Sequence, residues 1–338
     1  MAVTMQDVAA LAGVSRGTVD RVLHGRPNVD SLVRQKVLKA AETLGYRVKI
    51  PASAPVKRAA ILIPTWSDGH FNRQIVSGIR RAMRYVADPG FALVEQPLRT
   101  MTMQELLREA ARQIDVGVDG LILRAENTAE VRAVIEQAVR RGIAVITYDA
   151  DVPGSGRLCH VGQDLWRAGA IAAGVMARLI RPSEHVLVVT GNLRMEAHKG
   201  RVDGFCRRLR ELGFDEDAYR IVETGEIHGL TSEAVARALD SDSRLRAVYM
   251  STQPVSACIE GIRRSRMRQA PPHVICNDLT PTAKRYLREG TVDFVVGQAF
   301  DQESFRAVIA MYQILMRSER PKREVYYTDL SLLTREMF

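Results

Sequence analysis

The sequence predicts a small all-α helix-turn-helix domain joined to a two-lobed α/β domain built on parallel sheets. Three observations carry that expectation. Residues 1–50 read as helical throughout and are rich in arginine. From Ala59 onward, short β-rich runs alternate with amphipathic helical stretches. Between the two textures lies Pro51-Ala-Ser-Ala-Pro55, where two prolines among small residues mark a linker. The expected boundaries are therefore a first domain over 1–50, a linker or hinge over 51–58 and a second domain over 59–338.

Each element of the first domain has its own signal. Thr4 can cap a first helix, and Asp7 three residues on completes a capping-box pattern. Val8, Leu11 and Ala12 are expected to face inward, with Ala9 small where two helices approach closely. Gly13 supplies the turn, since a positive φ is cheap only for glycine, and Val14 plugs it. Ser15 caps a second helix whose Val19, Val22 and Leu23 point back at the first. Its outward residues are Ser15, Arg16, Gly17, Thr18, Asp20, Arg21 and His24, several of them suited to phosphates or base edges. A third helix runs from an Asp30 cap through Val33, Val37, Ala40, Ala41 and Leu44, and stops at Gly45. A plain three-helix bundle with a solvated polar face would share part of this pattern. The joint match of small, glycine and apolar positions favours a DNA-reading helix-turn-helix.

In the second domain AAILIP precedes a helix from Phe71 to Ala87, and FALVEQ precedes one from Thr102. GLILR precedes a helix from Thr128 to Arg141, AVITYD follows it, and a further helix spans Leu165 to Ile180. The rhythm resumes with HVLVVTG, YRIVETGE, LRAVYMS, HVICND and FVVGQ. Continuous apolar strands alternating with helices imply parallel sheets covered on both faces. About ten strands are too many for one small sheet, so two similar lobes are expected.

Composition narrows the function. The 338 residues carry 48 Lys/Arg and 39 Asp/Glu, a formal +9, and residues 1–50 alone hold a net +4. That concentration of charge at the helical end suits nucleic acid. Cys159, Cys206, Cys258 and Cys276 are scattered, which points to reduced, buried thiols and to no metal site or cofactor. The first residues lack the apolar core of a secretion signal, and no apolar run approaches a membrane span, so a cytoplasmic protein without membrane contact is expected. No phosphate loop, nucleophile elbow or His-Glu-x-x-His spacing occurs, so an enzyme is not expected.

The stretch DVAALAGVSRGTVDRVLHGRPNVDSLVRQKVLKAAETLGY resembles the DNA-binding domain of the lactose-repressor/galactose-repressor (LacI/GalR) family, and the remainder resembles that family's periplasmic-binding-protein-like sugar-binding core. The resemblance implies a homodimer, joined through the core, that binds near-palindromic operator DNA as a transcriptional regulator, expected to be a repressor. It implies control by a small-molecule effector, a sugar, polyol or sugar acid. A stand-alone solute-binding protein for a transport system is the alternative. Arg16 and Gly17 fall where such proteins choose their operator, with Arg21 deeper in the helix. Asp20 departs from the family's usual serine, and both a cytosine contact and a pairing with Arg16 or Arg21 stand open. The family's hinge leucine, which wedges into the minor groove, is missing from RVKIPASAPVKRAA, leaving Val48 and Ile50 as the apolar residues there.

Ligands of such folds bind beyond the carboxyl ends of the strands. The candidates there are Trp66, Asp68, His70 and Phe71 in TWSDGHF, Arg124 after GLIL, Asp149 after AVITY, Asp278 after HVICN and Gln298 after FVVG, with Arg201 on a helix. By the resemblance, Asp149, Arg201, Asp278 and Gln298 hydrogen-bond the sugar, and His70 and Phe71 lie in the loop that covers its ring. YMSTQP departs from the family's Asn-Asp and leaves Thr252 or Gln253 at that turn. His160, His198 and Lys199, with Arg124 and Arg201, would suit an anionic group, although His198 and Lys199 are expected on a solvated helix face.

Overall fold

The computed structural model describes residues 3–23, 29–46, 55–65, 69–100, 102–266 and 270–338. It divides into two compact units, Met1–Pro55 and Val56–Phe338. His24, Val48, Ile50, residues 51–54 of the linker, Trp66 and Asp68 lie outside the described residues.

The first unit is built from α1 (Met5–Ala12), α2 (Arg16–Leu23) and α3 (Ser31–Thr43). Both halves of the capping box form at Thr4 and Asp7, so two otherwise orphaned amide donors are satisfied. Gly13 ends α1 in the left-handed conformation, φ 66°. The Ser15 hydroxyl accepts from the Thr18 amide at 3.1 Å, and Asp30 accepts from the amides of Leu32 and Val33. Val8, Ala9, Val19, Val22, Val37, Ala40 and Ala41 form the core. Leu11 departs from expectation, being 53% exposed. The buried face of α1 is centred on Met5, Val8, Ala9 and Ala12, and Leu11 sits roughly a third of a turn from that centre.

The second unit holds two six-stranded sheets. The first contains β1 (Lys57–Ile63), β2 (Phe91–Pro97), β3 (Gly120–Leu123), β4 (Ala144–Tyr148), β5 (Cys159–Gly162) and β11 (Val325–Tyr327). Their order is β11-β5-β4-β3-β1-β2, with every pairing parallel. The second contains β6 (His185–Thr190), β7 (Tyr219–Glu223), β8 (Leu245–Met250), β9 (His273–Asn277), β10 (Phe294–Gly297) and β12 (Ser331–Leu333). Its order is β12-β10-β9-β8-β6-β7. The short strands β5, β11 and β12 carry too few residues to stand out in the sequence. Nor is the second sheet wholly parallel, because β12 runs antiparallel to β10. The chain comes back to this sheet beside the end of β10, so it can pair only by running back along it. A parallel partner would need a crossover helix first.

Helices α4 (His70–Val86), α5 (Met103–Val116), α6 (Ala129–Arg140) and α12 (Phe300–Arg317) cover the first sheet. Helices α7 (Leu165–Leu179), α8 (Glu196–Glu211), α9 (His228–Ser241), α10 (Val255–Arg264) and α11 (Pro281–Arg288) cover the second. The central strands are buried on both faces, which is why they read as unbroken apolar runs. The chain passes between lobes after Gly162, after Gly297 and after Tyr327. These crossings are tied together: the Gln163 side chain donates to the Gly297 carbonyl at 3.1 Å, and the Thr328 amide donates to the Gly162 carbonyl at 2.9 Å. At the closest helix crossing, a Cβ on Gly169 of α7 would lie 1.9 Å from the Arg201 carbonyl oxygen. One on Gly204 of α8 would lie 2.0 Å from that of Trp166. Only glycine lets α7 and α8 approach this closely, and that approach positions Arg201.

Candidate functional site

Parallel strands in both lobes deliver their last residues to one cleft. Asp149 follows β4 with φ 59°, and Asp278 follows β9 with φ 68°. Left-handed backbone costs a non-glycine residue roughly 1–2 kcal/mol, least for Asp and Asn. Here the amides of Asp149 and Asp278 donate to the carbonyls of Val161 and Val296, at 3.0 and 2.9 Å, and hold the bend. Each lobe thus turns a carboxylate out at an equivalent strand end, and each carboxylate meets an arginine. Arg124 Nε donates to Asp149 Oδ2. Arg201, reaching in from α8 and only 5% exposed, grips Asp278 with two nitrogens at 3.0 and 3.1 Å.

Gln298 joins the two pairs. Its carbonyl oxygen accepts from Arg201 at 2.8 Å, and its amide donates to Asp149 Oδ1 at 2.7 Å and to Glu303 at 3.0 Å. Arg201 also donates to the Ser251 carbonyl at 3.0 Å and to Gln163 at 3.1 Å. Its buried Nε finds no partner among the described residues. Fully buried Glu303 is pushed well above the usual carboxylate range, first by burial and then by the Asp149 charge. Both causes disfavour its charged form. The array of paired donors and acceptors suits vicinal hydroxyls better than a single charged group.

The remaining residues separate into those at the cleft and those away from it. His70 Nε2 lies 2.9 Å from the Leu279 carbonyl, bridging the lobes. Phe71 packs on Phe300, ring centres 4.7 Å apart, as part of the first lobe's core. Thr252 is buried beside Gln253. His160 points into the first lobe, where its Nδ1 lies 3.1 Å from the Thr147 hydroxyl. Lys199 is exposed and pairs with Asp203. His198, expected to be solvated, is instead buried, because its ring lies against the β6–α8 loop at Gly191 and Asn192, whose amide it accepts, and beside Glu226. Sequence reading missed Gln163, Glu226 and Glu303. The available signal was position alone: Glu303 follows the Gln298 strand end by a turn of helix, and Glu226 closes YRIVETGE.

His198 yields a pH prediction. Burial, then the Arg201 charge, lowers its pKa from 6.5 to about 4. The folded state resists a proton that the unfolded chain accepts, so stability is full above pH 6.5 and falls as pH drops towards 4. The loss is about 3 kcal/mol at most. Urea denaturation between pH 7 and 4 measures it, and His198→Gln is expected to flatten the curve.

In the first unit, Ser15, Arg16, Gly17 and Arg21 are exposed, while Thr18 and Asp20 are half-buried. The Ser15 and Thr18 hydroxyls engage each other at 2.9 Å in the cap. Only Ser15 Oγ, at 3.8 Å, lies near the place of a Gly17 Cβ, so that surface is open to close approach. Among the described residues no group of three His, Cys, Asp or Glu could hold a metal, and no helix is long and apolar enough to cross a membrane. All four cysteines are free and buried.

Comparison with known proteins matches both units. Residues 4–48 match the family of bacterial regulatory proteins, lacI family, and residues 59–319 match the periplasmic binding protein domain. Catabolite control protein A of Priestia megaterium is 28% identical over 263 residues, covering 76% of each chain. The HTH-type transcriptional repressor PurR of Vibrio atlanticus is 24% identical over 251 residues, 73% of this chain and 72% of its own. Among solved structures, GanP, a glucose-galactose binding protein from Geobacillus stearothermophilus, superposes with a TM-score of 0.72 at 25% identity. It covers 83% of this chain and 98% of its own.

Proposed function

Because this chain belongs to the lacI family of bacterial regulatory proteins, with a periplasmic-binding-protein core, we propose that a small sugar or polyol in the cleft sets how tightly it holds operator DNA. It is a sequence-specific DNA-binding transcriptional regulator. In this reading residues 1–50 read DNA, 51–58 form the hinge, and 59–338 bind ligand and dimerise. It acts in the cytoplasm as a repressor and has no catalytic activity of its own. Thr4, Ser15, Arg16, Gly17, Thr18, Asp20, Arg21 and His24 face the operator. Arg124, Asp149, Arg201, Thr252, Asp278 and Gln298 hold the ligand, with His70 and Phe71 at the first-lobe wall.

One observation carries the reading: Arg201, Gln298 and Asp149 form a continuous hydrogen-bonded chain from one lobe to the other. A hydroxylated ligand that replaces these bonds must change how the lobes hold together. DNA affinity changes only if the ligand binds the DNA-competent and DNA-incompetent states unequally. The GanP likeness also fits a solute-binding protein, but the lacI-family domain at residues 4–48 favours the regulator.

Thermal-shift screening of the full chain against sugars, polyols and sugar acids, followed by mobility shifts on operator DNA, tests this. The expected result is one compound that raises the melting temperature and alters operator affinity. A stabilising compound without effect on DNA binding would refute the coupling. For the head, Arg16→Ala is expected to weaken operator binding by roughly 1–3 kcal/mol and random-sequence binding much less. Equal losses on both DNAs would reduce Arg16 to a phosphate contact.

A further inference from the structure

The carboxylate of Glu226 stands on the second-lobe wall of the cleft, and among the described residues no lysine or arginine lies within ion-pair distance of it. It lies in the loop between β7 and α9, at the strand-end edge that also presents Thr252 and Asp278. Among the described residues the one base within 4.0 Å is His198, with Nε2 4.0 Å from Oε1, and the Arg201 charge acts on the carboxylate from farther away. That imidazole carries no charge at neutral pH. Its Nδ1 accepts the Asn192 amide at 2.9 Å, and its pKa is about 4.

The two arginines described in the cleft are already engaged. Arg201 faces Asp278 and Arg124 faces Asp149, so each guanidinium has its carboxylate. Burial pushes the Glu303 carboxyl well above its ordinary range. Among the described residues Glu226 is thus the cleft carboxylate without an arginine of its own. Its side chain is 44% exposed, within a ligand's reach. The Thr252 hydroxyl and the Gln253 backbone lie beside the carboxylate. A bound ammonium could donate to the carboxylate and to the Thr252 oxygen, as a compact cation with several donors requires.

We propose that the ligand is an amino sugar, with Glu226 receiving its ammonium while the Arg201–Asp278 and Arg124–Asp149 pairs read its hydroxyls. The proposal rests on the sugar reading of the cleft. Burial, then the Asp278 charge, holds the Glu226 pKa above its ordinary value even though Arg201 and hydrogen bonds from Thr252 and Gln253 pull it down, so an added cation beside it would be favoured. An anionic sugar would meet this charge directly and be rejected.

Calorimetry on the full chain with matched sets tests the assignment. Each set contains a hexosamine (D-glucosamine, D-galactosamine or D-mannosamine), its neutral parent, its N-acetyl derivative and its hexonic acid. In one set the free amine is expected to bind roughly tenfold or more tightly than the other three members. Glu226→Gln is expected to bring the amine-to-parent ratio to about one, with circular dichroism confirming an unchanged fold. A neutral sugar or acid that binds as tightly as its amine overturns the assignment and leaves the sugar reading standing. So does an amine preference that survives Glu226→Gln. Silence from every set, and from pentoses and polyols as well, overturns both.

Discussion

Arg201→Ala is expected to destabilise the second unit by about 3–5 kcal/mol and to abolish its response to ligand. The substitution leaves the Asp278 carboxylate, 9% exposed, without its cation, and strips partners from Gln163, Gln298 and the Ser251 carbonyl. Removing one member of a buried pair costs far more than the pair contributes, because the survivor stays desolvated and unmatched. Against a typical domain stability of about 5–15 kcal/mol this is a large fraction, corresponding to a drop of roughly 10 °C in melting temperature. Adding Asp278→Asn to Arg201→Ala is expected to restore part of the stability, since a neutral amide is cheaper to bury. The ligand response should stay lost, because both groups that read hydroxyls are gone. Denaturation and calorimetry on the single and double variants separate stability from recognition. An unchanged melting temperature in Arg201→Ala would refute the buried-pair account.

Gly204→Ala is expected to cost about 3 kcal/mol or more, at the upper end of overpacking penalties. The added methyl would sit 2.0 Å from the Trp166 oxygen and 2.8 Å from its carbonyl carbon, both backbone atoms that no rotamer change can move. Helices α7 and α8 must separate. Arg201 lies one turn before Gly204 on α8, so ligand affinity is expected to fall together with stability. Gly169→Ala, whose methyl would lie 1.9 Å from the Arg201 oxygen itself, should behave alike. Gly17→Ala is the control: its surroundings are open, and it should stabilise α2 by roughly 1 kcal/mol through helix propensity. Thermal melts of the three variants decide the matter. A mild effect at Gly204 would mean that the helices pack more loosely than their backbones indicate.

Much of this organisation is local, and local features are what a sequence displays. The capping box at Thr4 and Asp7, the left-handed glycines at 13 and 45, and the helical periods of α2 and α3 involve residues within a turn or two of each other. The unbroken apolar runs of the central strands likewise announce sheets buried on both faces. The strand-end rule then singled out Arg124, Asp149, Asp278 and Gln298 as positions, and the structure brings them, with Arg201, into one hydrogen-bonded group.

Pairing within that group was not legible. Arg201 meets Asp278 across 77 residues, and Gln298 meets Asp149 across 149. The first pairing is set by packing within the second lobe and the second by the meeting of the two lobes. Tertiary packing likewise buries His198 against the loop that follows β6, places Glu303 beside Gln298, and leaves Glu226 with no lysine or arginine at ion-pair distance among the described residues. It also makes β12 run against β10, because the final chain crossing delivers it to that end of the sheet. Periodicity and caps report how a segment lies relative to its own neighbours. Burial, charge balance and strand direction depend on which distant surfaces meet, and the tertiary structure alone decides that.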